Sequence, residues 1–376
     1  MNCRYAGRCG ACDKIELSYE DQVSEKRETF MNKFSSSDVQ LPSEITFTEF
    51  AEGRTRDRAD LSLRFENDEF KFGFFTKDRS EILDIKNCPQ MSEDLEKWFL
   101  EFREDLPKVE KMSVRLRIGA NSEKGVWLDL ANIEIKNLLD EEKWLRGLME
   151  KTEFIEIGQR RKRLIEKDGV LKLGDSQASD WFKTRLADGQ WQNLKMNIGS
   201  FSQPGYKTNA KMSEIICSFL GEGKKQKALE LCSGSGNLSF LLASLGFDCI
   251  STELDKNCMM NAEESRKSFF AKEKLQFKRL NAHKKSEELN QLLKEVDLLV
   301  VDPPRSGLRS GLEVFEDLAE AELPERLLYI SCFLESLAED SKKIQDMGYR
   351  ITKVNLLDQF PHSSHCEYIL LFETKH

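Results

Sequence analysis

The sequence predicts an α/β chain whose C-terminal part is a doubly wound, mostly parallel sheet, preceded by an α+β part. Three observations carry this. After about residue 205, apolar runs of strand length (KALELC, FDCISTELD, VDLLVVDPP) alternate with helical segments. That rhythm marks parallel strands joined by helical crossovers. A glycine loop, CSGSGN, joins the first of these strands to the helix that follows, as in open sheets that bind ligands at their carboxyl edge. Before residue 190 the strands and helices keep no βαβ rhythm, which reads as α+β. The expected division is therefore residues 1–190 and 191–376.

In the first part, RADLSLRFE, KFGFFTK, KMSVRLRIG and GVWLDLA read as strands, and SYEDQVSEKRETFMNKF and SEDLEKWFLEFRED as amphipathic helices. The chain has 376 residues, 39% of them hydrophobic and 33% charged, with a formal net charge of −9. This suits a soluble protein and argues against a nonspecific nucleic-acid binder. No run approaches the roughly eighteen apolar residues that cross a membrane, and the N-terminus has no apolar signal core. A cytoplasmic location follows as an expectation, with no membrane or DNA partner and a monomeric state. There the ten cysteines read as thiols or metal ligands rather than disulfides. Two local basic stretches stand against the acidic average: Arg54, Arg56, Arg58 and Arg64, and Arg160, Arg161, Lys162 and Arg163. Each is either a solvated face or a surface for RNA.

Cys3, Cys9 and Cys12 are spaced C-x5-C-x2-C, and Cys88 follows much later, before a proline. Three close thiols and a distant fourth satisfy either a cubane iron–sulfur cluster or a four-cysteine zinc site, and spacing alone leans to zinc. The four histidines, His283, His362, His365 and His376, form no ligand pattern with them.

In the second part, NAKMSEIICSFLG reads as a helix and YILLFET as the last strand. Gly234 and Gly236 permit a tight turn with no Cβ beside a ligand. Asn237 opens the next helix, and the following strand ends at Glu253, whose carboxylate suits the two ribose hydroxyls. The third glycine of the dinucleotide fingerprint is missing, and no G-K-[ST] follows, so an adenosine ligand fits better than a dinucleotide or a nucleoside triphosphate. VDLLVVDPPRSGL delivers Asp302 to the same sheet edge, with two stiffening prolines and then Arg305. Cys332 lies just past the strand RLLYIS. A packing thiol would sit within the strand; this one sits at the edge with Gly234, Glu253 and Asp302.

Five ordered stretches, FSQPGYKTNAKM, LELCSGSGNLS, VVDPPRSGL, LYISC and LLDQFPHSSHCE, span residues 201–367. Here the chain resembles the RNA uracil-C5 methyltransferases, which use S-adenosylmethionine to make 5-methyluridine in transfer and ribosomal RNA. The resemblance implies a class I, Rossmann-like methyltransferase domain with a seven-stranded, mostly parallel sheet. It also implies an N-terminal RNA-binding domain carrying a cysteine-ligated cluster. Cys332 would be the nucleophile and Glu367 the general base, with Asp302 and Arg305 positioning the uracil. Gln203, Cys232, Gly234, Gly236, Asn237, Glu253 and Asp302 would bind S-adenosylmethionine. For Cys3, Cys9, Cys12 and Cys88 the resemblance turns the balance from zinc to a [4Fe–4S] cluster.

The chemistry needs this set. C5 of uracil is too weak a nucleophile to take a methyl group unaided. A thiolate adding to C6 makes an enolate with density at C5, and a carboxylate then removes the C5 proton. The chain departs from the family pattern at three places. Phe333-Leu334 replaces the usual Asn-Pro after the nucleophile, Cys232 an aromatic, and Gly205 an asparagine. Cys332, Asp302 and Glu367 are intact, so activity is expected. The expected substrate is 23S ribosomal RNA. Transfer RNA is the alternative, and an RNA-binding protein with a decayed catalytic core is the alternative of another class.

Overall fold

The computed structural model describes residues 2–130, 138–158 and 162–375. Arg160, Arg161 and His376 lie outside the described residues. In chain order the elements begin with α1 (Tyr19–Ser36), β1 (Thr46–Thr48), β2 (Arg58–Glu66), β3 (Glu69–Phe75) and β4 (Ile82–Asp84). There follow α2 (Glu93–Arg103), β5 (Lys111–Ile118), β6 (Lys124–Asp129), α3 (Glu142–Lys151), β7 (Phe154–Ile157), β8 (Lys162–Lys167) and β9 (Val170–Asp175). Next come β10 (Ser179–Arg185), β11 (Trp191–Met196), α4 (Tyr206–Leu220), β12 (Lys227–Leu231), α5 (Asn237–Ser244), β13 (Asp248–Glu253) and α6 (Lys256–Arg266). The chain finishes with β14 (Leu275–Arg279), α7 (Glu287–Lys294), β15 (Leu298–Val301), β16 (Arg326–Ser331), α8 (Leu334–Asp346), β17 (Tyr349–Leu357) and β18 (Glu367–Thr374).

The compact units do not follow the linear division at 190/191. One comprises Met1–Ser18, Ala51–Phe182 and Lys195–Lys207; the other comprises Tyr19–Phe50, Lys183–Leu194 and Thr208–His376. The reason is packing that periodicity does not reveal. The ring of Phe30 on α1 stacks on Tyr368 of β18 at 5.5 Å, and β1 pairs in parallel with β17. Both elements precede residue 50 and complete the C-terminal sheet.

The first unit is built on an eight-stranded sheet in the order β4-β3-β2-β5-β6-β7-β8-β9. It is antiparallel except for the parallel pair of β6 and β7. β2 shows the alternation its sequence carries: Ala59, Leu61 and Leu63 are buried, while Arg58, Asp60, Ser62 and Arg64 take the other face. Of the first basic stretch, Arg58 and Arg64 share this face. Arg54 lies before the strand at φ +51° and pairs with Glu96. α2 buries Leu95, Trp98, Phe99 and Phe102, the spacing of one helical stripe. Ser92 Oγ caps it by accepting from Leu95 N at 3.3 Å. Each such buried aromatic contributes about 1.5–3 kcal/mol of transfer free energy.

The second unit holds a sheet of eight strands, in the order β1-β17-β18-β16-β15-β12-β13-β14, one more than the seven expected. β1 is the addition, and its three residues are too few to show a period. β12 lies between β13 and β15, both parallel to it. The winding therefore reverses there, and a crevice opens at the carboxyl ends of these strands. β18 is antiparallel to both β16 and β17, so it starts at the edge where β16 ends. LLVV of β15 is fully buried, as a strand covered on both faces must be.

Candidate active site

The crevice begins at the turn after β12. Cys232, Gly234 and Gly236 have φ of 62°, 56° and 95°. Gly236 is required on two counts, since a Cβ there would also stand 2.9 Å from the Phe240 ring. The turn is anchored by Glu253 at the end of β13. Its Oε2 accepts from Gly234 N at 2.9 Å, and its Oε1 from Leu254 N and Asp255 N at 2.7 and 2.8 Å. Beneath the turn lies Glu230, buried on β12. It accepts from the Ser239 hydroxyl and from Ser251 Oγ at 2.7 Å, and burial pushes its pKa up to about 7.

Two hydroxyls of this loop, Ser233 Oγ and Ser235 Oγ, are buried and find no partner among the described residues. Polar atoms in that state cost stability unless a ligand meets them. They flank Gly234, so the loop fits an adenosine-type cofactor with polar edges. Asn237 is committed elsewhere: its amide exchanges two hydrogen bonds with Asn209, at 3.0 and 2.8 Å. Gln203 is buried in the first unit, in the segment before α4.

The candidate reacting groups stand at the neighbouring strand ends. Asp302 follows β15, and burial pushes its carboxyl up to about 7. Cys332 follows β16. The pairing of Ser331 with Tyr368 makes the next residues outward Cys332 and Glu367. Burial, then the nearby Glu367 carboxylate, pushes the Cys332 thiol up to about 11. Arg305 opposes this with a hydrogen bond to the sulfur. Glu367 is buried and raised well above the usual carboxylate range, first by burial and then by Asp302. Gln359 Nε2 donates to Glu367 Oε2 at 2.9 Å and works the other way. Asp340 on α8 ties the Arg305 loop to β16. Its Oδ2 accepts from Leu308 N at 2.9 Å and from Tyr329 Oη at 2.5 Å.

In the first unit, Cys3, Cys9, Cys12 and Cys88 line a single cavity with Tyr5 and Phe74. Burial raises Cys9, Cys12 and Cys88, and the other thiols of the set add to it. Cys12 rises to about 12 and Cys88 to about 11. Four thiols in one dry pocket become stable thiolates only with a cationic centre among them. Among the described residues, no three His, Cys, Asp or Glu side chains are gathered closely enough to hold a single metal ion. Four thiols lining one cavity suit a thiolate-ligated metal group.

A family model described as tRNA (Uracil-5-)-methyltransferase matches residues 18–375. The chain belongs to this family. Among similar proteins is an uncharacterized RNA methyltransferase of Bdellovibrio bacteriovorus, 34% identical over 99% of this chain and 95% of that protein. Another is the 23S rRNA (uracil(1939)-C(5))-methyltransferase of Vibrio parahaemolyticus, 26% identical over 99% of this chain and 81% of that one. Among solved structures, the tRNA (uracil-54, C5)-methyltransferase of Pyrococcus abyssi, in complex with S-adenosyl-L-homocysteine, shares the fold. It has a TM-score of 0.64 and 21% identity, and the match covers 96% of this chain and 85% of that one.

As a member of the family, the chain is an S-adenosylmethionine-dependent RNA (uracil-C5) methyltransferase with an α/β methyltransferase fold. One of its departures from the family pattern acquires a physical reason. A Cβ on Gly205 would stand 1.9 Å from Thr55 O, so no asparagine fits on this backbone. Phe333 opens α8 without a side-chain cap. Ser331 Oγ supplies the missing acceptor, at 3.1 Å from Phe333 N. For Cys232 in place of an aromatic the structure offers no reason.

Sequence reading missed Gln359, Asn209, Ser233, Ser235 and Asp340 as residues of the site or its supports. Gln359, Asn209, Ser233 and Ser235 stood inside quoted motifs without a role. Asp340 reaches its partners through folding alone and leaves no spacing signal.

Proposed function

We propose that this methyltransferase forms 5-methyluridine in 23S ribosomal RNA through a covalent bond between Cys332 and C6 of the target uracil. The observation that carries the reading is the group at one sheet edge. Cys332 and Glu367 lie side by side across β16 and β18, with Arg305 on the thiol and Asp302 nearby. No packing role calls for a nucleophile, a buried carboxylate and a cation together at a ligand-binding edge.

Gln203, Cys232, Gly234, Gly236, Asn237, Glu253 and Asp302 would hold S-adenosylmethionine, Asn237 through its backbone, since its amide is engaged with Asn209. When bound, the cofactor supplies an electrophilic methyl group for C5. The chain's own residues do the rest. The target base leaves its stack to reach the crevice. The Cys332 thiol loses its proton to solvent, Arg305 stabilises the resulting thiolate by its hydrogen bond and charge, and the thiolate adds to C6. The C5–C6 π pair moves into the ring enolate, which Asp302 and Arg305 orient. After C5 is methylated, Glu367 takes its proton. The freed electron pair restores the C5–C6 double bond and breaks the S–C6 bond, releasing the thiolate.

Cys3, Cys9, Cys12 and Cys88 would ligate a [4Fe–4S] cluster that stiffens the first unit as an RNA-binding domain. The chemistry above transfers no electron, so the cluster takes no part in it. Ribosomal RNA as substrate rests on the 23S rRNA methyltransferases among the relatives that match 99% of this chain. RNA is the partner, the protein acting as a cytoplasmic monomer.

The test is nucleoside mass spectrometry of unmodified 23S rRNA and transfer RNA after incubation with the protein and S-adenosylmethionine bearing a labelled methyl group. Labelled 5-methyluridine in 23S rRNA is expected. Label in transfer RNA alone would replace the substrate. No label in either would favour an RNA-binding protein with a decayed core.

A further inference from the structure

A buried charge network lies behind Glu367, outside the catalytic set. Lys26 on α1 and Asp358, just past β17, are 4% and 1% exposed. Lys26 Nζ donates to Asp358 Oδ1 at 2.5 Å and to Phe360 O at 3.2 Å. Tyr19 Oη donates to the other carboxylate oxygen at 2.6 Å and accepts from Phe50 N at 2.8 Å. Asp358 N donates to Thr48 O at 2.9 Å. One turn along α1, Gln22 Nε2 meets His362 Nδ1 at 3.1 Å. The side-chain bonds of Tyr19, Gln22 and Lys26 converge on the 358–362 segment from a helix more than 300 residues away in sequence.

That segment carries Gln359. Its amide is held on one side by the Glu367 carboxylate, and its neighbours on both sides, Asp358 and Phe360, are held by Lys26. A buried ion pair of this kind repays its desolvation only when geometry and extra hydrogen bonds are good. Here both are, and the place stabilised is the backbone on either side of Gln359, which donates to Glu367.

We infer that Lys26, Asp358 and Tyr19 are positioning residues for the proton-abstraction step: they fix Gln359 so that it holds Glu367 in the orientation that removes the C5 proton. The inference rests on the proposed role of Glu367. It gives the N-terminal helix a function in one step of the reaction and none in the others. Loosening the network should leave thiol addition and methylation intact and slow release.

The experiment uses full-length Lys26→Met, Asp358→Asn and Tyr19→Phe, with Lys26→Arg as the conservative rescue. Each is incubated with S-adenosylmethionine and either ordinary or 5-fluorouracil-containing substrate RNA, followed by denaturing intact mass. Fluorine at C5 blocks proton removal, so that RNA reports addition and methylation alone. The expected result is wild-type adduct yield on fluorinated RNA for every variant. On ordinary RNA, methylated adduct should accumulate and kcat should fall about tenfold or more for Lys26→Met and Asp358→Asn, with a smaller loss for Tyr19→Phe and recovery in Lys26→Arg. Normal turnover without adduct on ordinary RNA in all three variants would overturn the inference while leaving Glu367 as base. Equal loss on both RNAs in Tyr19→Phe, the mildest change, would make the network merely structural. No adduct in wild type on fluorinated RNA would overturn the catalytic reading itself, and this inference with it.

Discussion

Glu367 stands one step outward from a paired strand position and directly across from Cys332, because Ser331 of β16 is in register with Tyr368 of β18. An antiparallel strand that begins where its parallel neighbour ends brings a residue from far along the chain beside Cys332.

The thiol should react as a high-pKa nucleophile in the free protein. With Cys332 pushed up to about 11 by burial and by Glu367, the protonated form dominates at neutral pH. Its alkylation, followed peptide by peptide with iodoacetamide, should accelerate about tenfold per pH unit between pH 7 and 10. A plateau below pH 8 would show a thiolate already formed.

Arg305 is the group that opposes this rise, and Asp340 holds its loop. Arg305→Ala should shift the Cys332 alkylation profile further to alkaline pH and slow adduct formation about 10–100-fold. Asp340→Ala should move the same profile in the same direction by less. An unchanged profile in Arg305→Ala would remove Arg305 from the nucleophile's surroundings.

Glu367→Gln keeps the shape of the side chain and removes the proposed base. Turnover should fall about 10²–10⁴-fold, with methylated adduct persisting on ordinary RNA. Equal loss of adduct and product would assign Glu367 to an earlier step.

Gly205→Asn restores the residue expected at that position and should destabilise the protein. Its Cβ would meet Thr55 O at 1.9 Å, a collision with backbone that costs about 1–3 kcal/mol or more. Urea denaturation with an unchanged slope and a lower midpoint is the expected reading; an unchanged midpoint would mean that the 204–206 turn moves freely.

Protein prepared without oxygen should hold iron and acid-labile sulfide in equal amounts, and Cys88→Ser should lose both while keeping S-adenosylmethionine binding. Zinc in place of iron would restore the alternative that spacing alone allowed.

Much of the C-terminal unit was legible because buried parallel strands read as short apolar runs, and residues at their carboxyl ends share an edge by topology. Asp302, Cys332 and Glu253 could be found that way. Glu367 could not be found from periodicity, because its partner strand is remote and antiparallel; the motif around it carried the assignment. β7, β8, β9 and β14 went unread. Their alternation is diluted by charged residues, as in KRLIEK and LQFKR, so only neighbouring strands define them. The compact units cross the 190/191 line for a related reason: α1 is amphipathic in sequence, but nothing local says which sheet its Phe30 and Phe34 will cover.

The most direct test of the central claim is a denaturant-stable complex with 5-fluorouracil-containing substrate RNA and S-adenosylmethionine, weighed intact. The account predicts a mass equal to protein plus RNA plus one methyl group, absent in Cys332→Ala. No such complex on either 23S or transfer RNA, from protein shown to bind the cofactor, would contradict it and leave Cys332 a packing residue.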